Sequence, residues 1–248
     1  MNLPEHNPLT AVDFEHSAPD VAVFAMASLA ETRDSDTGKH LFRVQNYVMS
    51  LIRRVQTQPR FAATLTAPFI KALYQYVPLY DMGTIGIADR ILLKPGRLTP
   101  AEFEVMQTHV TLAHDAIRQA EQALACPSPQ LQTLKDIAYC HHEKWNGSGY
   151  PQGLSGDQIP LAARLIAIAD VYDALISDRV YKAGVPHDHA VGIIFQGRAS
   201  HFDPDLVDAF IEIQDEFQAI AKRYADTEQD MQQKIEYMVN AIAEEAGL

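Results

Sequence analysis

The sequence predicts an all-α protein on three observations. Prolines follow helix-capping side chains at several points, and apolar residues recur at spacings of three and four. No segment alternates apolar and polar residues with the period of two that a half-buried strand requires.

Taken in order, a first helix is expected near 19–33 around the apolar run VAVFAMASLA, and a second near 38–56, where Leu41, Val44, Val48 and Leu51 share one face. A third is expected near 60–77. Thr99-Pro100-Ala101-Glu102 is a capping box with proline at the first helical position, and it opens helices near 100–109 and 110–124. Ser128-Pro129 opens 129–143, and further helices are expected near 161–177 and 185–197. Asp203-Pro204 starts 204–224, with Leu206, Phe210, Ile213 and Phe217 on its apolar face. In the last helix, near 227–246, Ile220, Tyr224, Met231, Ile235, Met238 and Ile242 follow a near-heptad spacing broken at Thr227. That stripe fits either a short coiled-coil seam or a helix folded back on its own domain. Residues 1–18 read as a flexible lead, 19–224 as one domain and 225–248 as a C-terminal helix.

Composition narrows the function. The chain has 248 residues and a formal charge of −12, so duplex nucleic acid and anionic membrane surfaces are poor partners, since both need a broad Lys/Arg field. Cys126 and Cys140 give no disulfide framework, and Cys140 reads as a small buried residue. The longest apolar run is far shorter than the ~20 residues of a membrane span, so the expectation is a cytoplasmic protein without signal peptide or anchor.

Several ligand-type side chains stand where a plain core would be apolar. His141 and His142 are adjacent at the end of an apolar stretch, in CHHEKWNGSGYP; neighbours on a helix point about 100° apart, so both can face one point only where the helix ends or the target is large. Asp170 has Ile166 and Ala167 one turn before it and Ala174 one turn after, so its carboxylate needs a metal, an arginine or a hydrogen-bond cage. Asp173 shares that face; a salt bridge to Arg179, a backbone cap and a functional role all remain open for it. His109 follows FEVMQT, His40 follows DSDTGK, and Asp36 lies four residues before His40. With Asp81, these imidazoles and carboxylates form the donor set that Fe, Mn or Zn prefer.

HHEKWNGSGYP resembles the HHExxxGxGYP signature of the HD-GYP proteins, a branch of the HD metal-dependent phosphohydrolases associated with hydrolysis of cyclic di-GMP. ETRDSDTGKHLFRV, MGTIGIADRILLKPGRLTPAEFEVMQTH, IPLAARLIAIADVYDALISDRVYKAG and HFDPDLVDAF resemble other blocks of that family in the same order, over roughly residues 21–223. The resemblance implies an HD-type helical bundle with the HD-GYP extension and a long C-terminal helix. It implies two or three transition metals, iron or manganese with zinc or nickel as alternatives. Carried over by position, the metal ligands are Asp36, His40, Asp81, His109, His141, His142 and Asp170. Arg179 and Lys182 match residues that hold the dinucleotide phosphates, Tyr150 lines the substrate site, and Asp173 is grouped with these substrate contacts. Family relatives often carry a sensory or receiver domain ahead of this one, and, with the matched blocks beginning near residue 21, none is expected within these 248 residues.

The chain departs from the family at one place. Where the pattern is His-Asp followed by x-Gly-Lys, it reads Tyr80-Asp81-Met82-Gly83-Thr84. A phenol, with a reference pKa near ~10, binds divalent metals poorly, although tyrosinate ligates iron in some enzymes. Thr84 supplies neither the proton nor the charge that the lysine is expected to give the leaving oxygen. The leading expectation, with Tyr80, Asp81 and Thr84 as the catalytic positions, is a domain that binds metal and cyclic di-GMP with weak or lost hydrolysis. The alternatives are a working phosphodiesterase with an altered cluster, for cyclic di-GMP or another cyclic dinucleotide, and a metal-free interaction module with a signalling-protein partner. The stripe Met231, Ile235, Met238 and Ile242 suggests a homodimer.

Overall fold

The computed structural model describes residues 18–33, 39–178 and 183–246. Among them the elements are α1 (Ala18–Glu31), α2 (Lys39–Val55), α3 (Pro59–Ala62), α4 (Ala67–Tyr76), α5 (Asp89–Leu92), α6 (Pro100–Gln107), α7 (His109–Ala123), α8 (Pro129–Cys140), α9 (Leu161–Ile176), α10 (His187–Gln196), α11 (Pro204–Glu212), α12 (Gln214–Arg223) and α13 (Glu228–Ala246). No strand occurs among the described residues, and the all-α class holds. No described helix is long and apolar enough to cross a membrane.

The capping side chains act as the sequence implies. Thr99 accepts from the Glu102 amide while Glu102 returns a bond to the Thr99 amide, Ser128 accepts from the Leu131 amide, and Asp203 accepts from the Asp205 amide. Two expected helices divide. The 60–77 segment breaks between α3 and α4, where Thr66 flanks the new start and Pro68 lies in its first turn, a position where a missing N–H costs nothing. The 204–224 segment breaks at Ile213, whose backbone leaves the helical region at φ −115°. The apolar series runs through that break unaltered, so periodicity carries no sign of it.

Helix α2 is the centre of the domain and packs against α4, α9, α11 and α12. Leu41, Val44, Tyr47, Val48, Leu51, Ile52 and Val55 on it are essentially inaccessible to solvent. At ~1.5–3 kcal/mol for each fully buried side chain of this size, that face supplies the free energy needed to keep polar His40 and Arg43 buried on the same helix. Tyr47 stacks on Phe217 at 4.5 Å and meets Tyr172 of α9 edge-on at 5.2 Å, which fixes the rotation of α2 against α9.

Helix α13 folds back on its own domain. Met238 is 1% exposed, α13 packs against α5, Lys234 donates to the Glu31 carbonyl at 2.7 Å, and Asp230 pairs with Lys39 at 2.6 Å. Of the stripe behind the dimer expectation, Met238 is covered within the chain, Ile235 stays exposed, and the Ile242 side chain lies outside those described. Met238→Ala should therefore lower the unfolding free energy by about 2 kcal/mol, measured by urea denaturation, whereas an unchanged midpoint would contradict this docking.

Candidate metal centre

Asp81 sits between two short 3₁₀ turns, Val77–Leu79 and Met82–Gly86. The second turn lies against the start of α7 so closely that a Cβ on Gly83 would fall 1.9 Å from the His109 carbonyl oxygen. Only glycine permits this approach, and it brings the Asp81 carboxylate to His109.

Four donors meet here. Asp81, His109, His141 and His142 each offer a ligand atom within 4.8 Å of the others. His109 donates Nδ1–H to the Met106 carbonyl at 2.7 Å, and His141 donates Nδ1–H to the Ile137 carbonyl at 2.9 Å. Carbonyls only accept, so each neutral imidazole turns a bare Nε2 inward. The two Nε2 atoms are 3.5 Å apart, and Asp81 Oδ1 is 3.2 Å from each. Three facing acceptors require a cation between them, either protons or a metal ion, and an N/O set of this kind suits a transition metal. With protons in that place, burial works to raise the Asp81 carboxyl, but hydrogen bonds from the protonated Nε2 atoms of His109 and His141 outweigh it and hold it well below the usual carboxylate range. Burial, reinforced by neighbouring His141, pulls His142 well below the usual imidazole range, which keeps it neutral and able to ligate.

The paired histidines reach one centre because the helix ends between them. α8 stops at Cys140, His141 is its C-cap, and the His141 and His142 rings stand 4.1 Å apart. Glu143 then holds the following loop, accepting from the Gln152 amide at 2.7 Å and the Leu154 amide at 3.0 Å. A Cβ on Gly149 would meet the Lys144 amide nitrogen at 2.3 Å, so this loop closes tightly over the helix end. It carries Tyr150 onto His142, ring centroids 4.8 Å apart, and Phe103 meets Tyr150 edge-on at 6.2 Å as an exposed aromatic rim.

His40 and Asp170 do not join this group. The Tyr80 hydroxyl lies 2.7 Å from His40 Nε2 and donates to Asp170 Oδ1 at 2.7 Å. The expectation of two or three metals thus meets one converging set of four ligands and a second pair bridged by a phenol. Asp173 also requires correction. Its carboxylate is 1% exposed and is taken by His40 Nδ1 at 2.7 Å, by Arg43 Nε at 2.7 Å and Nη2 at 2.9 Å, and by the Ser177 hydroxyl, so no face remains for substrate. Burial opposes its ionisation, yet His40 and Arg43 prevail and hold its pKa at about 2. Thr84 turns its hydroxyl to the Asp81 carbonyl at 2.8 Å. Asp36, Arg179 and Lys182 lie outside the described residues.

The family model that matches is described as the HD domain, and it spans residues 25–206. The chain belongs to the HD-domain family. Within it the chain is of the HD-GYP type. It is 50% identical over 212 residues to a "Probable cyclic di-GMP phosphodiesterase" of Vibrio cholerae, covering 86% of this chain and 48% of that one. It is 47% identical over 207 residues to a "Cyclic di-GMP phosphodiesterase" of the same organism, covering 84% of this chain and 42% of that one. The HD-GYP chain therefore spans about half the length of these relatives. Its fold is similar to that of an HDG"Y"P protein from Bdellovibrio bacteriovorus, with a TM-score of 0.51, 19% identity, and 71% of this chain and 51% of that one covered.

Arg43 and Glu143 are structural partners of this HD-GYP centre that the sequence reading passed over. Arg43 had a signal, as a charge on the otherwise apolar face that carries His40, and Glu143 follows the histidine pair directly. Removing Asp173 would take from buried Arg43 its two-nitrogen partner, with Asp226 still paired to it, and would strip His40 Nδ1 of its acceptor, so Asp173→Ala should cost about 3 kcal/mol in unfolding free energy. Because the folded carboxyl titrates at about 2, below the ordinary ~3.9, its stabilisation is complete above about pH 4 and is lost as pH falls toward 2. Urea midpoints measured across that range should fall in the parent, and the variant should lack this part of the slope.

Proposed function

We propose that this HD-GYP domain binds a transition metal and cyclic di-GMP and hydrolyses the dinucleotide weakly or not at all. The observation that carries this is the convergence of Asp81 with the bare Nε2 atoms of His109 and His141 while the Tyr80 phenol stands at the position of the family's histidine. A metal held by Asp81, His109, His141 and His142 would supply Lewis-acid polarisation of a phosphate oxygen and a water of lowered pKa. Tyr150 and Phe103 offer aromatic faces at the rim for a base. Arg179 and Lys182 match the phosphate-binding positions and give a net-acidic chain the local positive charge that a dianionic ligand needs. Thr84 holds its proton on the Asp81 carbonyl and has no charge to give a leaving oxygen, so general acid catalysis, typically worth ~10²–10⁴ in rate, is missing from that position.

The 50% identity to a relative named as a probable phosphodiesterase favours a second reading, an active enzyme with an altered cluster. Calorimetry on metal-loaded protein, paired with a hydrolysis assay, separates the readings. Binding is expected, with turnover far below that of the double variant Tyr80→His with Thr84→Lys, and Arg179→Ala should weaken binding by about 1.5–3 kcal/mol. Parent turnover equal to that of the double variant would establish the active enzyme, and absence of binding would leave an interaction module.

A further inference from the structure

We propose that the Tyr80 hydroxyl closes the second metal position, so that the protein holds a single metal ion, at Asp81, His109, His141 and His142. The inference rests on the metal reading above but concerns stoichiometry, and it does not depend on the dinucleotide.

The geometry is that of a plug. An ion ligated by both His40 Nε2 and Asp170 Oδ1 would sit about 2.0–2.2 Å from each, as metal–nitrogen and metal–carboxylate bonds require. The phenolic oxygen stands 2.7 Å from both of them, within the space between them. The hydroxyl gives its one proton to Asp170 Oδ1 and its oxygen accepts from His40 Nε2–H, so both atoms that a cation would otherwise bridge are engaged.

The plug cannot swing aside at low cost. Tyr80 is 1% exposed and belongs to the main apolar core, and its ring meets His141 edge-on at 5.2 Å. His40 is equally fixed. Its Nδ1 is tied to Asp173, and Asp173 is gripped by Arg43 through two nitrogens. Nothing comparable blocks the other group, where the Nε2 atoms of His109 and His141 and the Asp81 carboxylate face one another directly.

The test is to strip the full chain of metal, titrate it anaerobically with Fe(II) or Mn(II), and measure bound metal by elemental analysis alongside the binding isotherm. The parent should saturate at a single ion per chain. In Tyr80→Phe the retained site should keep its affinity, because the hydroxyl is not one of its ligands, and Tyr80→His should bind a second ion. Two ions in the parent would overturn the plug while leaving the metal reading intact. A loss of about 10- to 100-fold in affinity in Tyr80→Phe, or a phenolate-to-iron charge-transfer band in the oxidised parent, would overturn it by making Tyr80 a ligand. No metal in the parent would defeat both proposals. Should Tyr80→His fail to fold by circular dichroism, the parent stoichiometry and the Tyr80→Phe affinity still decide the matter.

Discussion

A chain of hydrogen bonds runs from Asp173 through His40 and Tyr80 to Asp170, with links of 2.7 Å, and the arrangement of the site depends on it. It crosses from α9 to α2, on to the segment between the 3₁₀ turns, and back to α9. Arg43 anchors it by neutralising Asp173, a carboxylate that could not stay ionised in the core alone. The chain therefore fixes two things together. It sets the face that α2 shows to α9, and it holds the Tyr80 ring against His141, one wall of the four-ligand group.

The two halves of the site meet the same electrostatic demand by different means. In one half, a carboxylate and two bare imidazole nitrogens face each other and call for a cation. In the other, a phenol brings its own proton and oxygen between a histidine and a carboxylate, and the demand is met by covalent structure. Burial and the neighbouring Asp81 both raise the Asp170 carboxyl, consistent with a group that leans on a donated hydrogen bond. Replacing a histidine by tyrosine thus does more than delete a ligand, since it supplies a substitute for what that ligand would have helped bind.

Much of this was legible in the sequence, and what was not has physical causes. The capped starts at Thr99, Ser128 and Asp203 stood where the side chains and prolines placed them, because capping is local chemistry. The break at Ile213 was invisible because its cause is tertiary and the apolar period continues across it. Among the candidate residues, Asp81, His109, His141 and His142 converge, and the ending of α8 between the paired histidines is what lets both rings serve one point. Asp173 was misassigned because residue type and helical face cannot tell a carboxylate aimed at a pocket from one aimed at a buried arginine. The role of Tyr80 was open for a similar reason. Its identity marked a departure from the family pattern, but only the position of its oxygen between His40 and Asp170 shows what the departure does.

The most direct test of that oxygen's role is an anomalous difference map from crystals grown with Mn(II) or Fe(II), because it locates each ion rather than counting ions. The account predicts one anomalous peak bonded to Asp81, His109, His141 and His142, with the Tyr80 hydroxyl still lying between His40 and Asp170. A second peak bonded to His40 and Asp170, with the Tyr80 ring displaced, would contradict it.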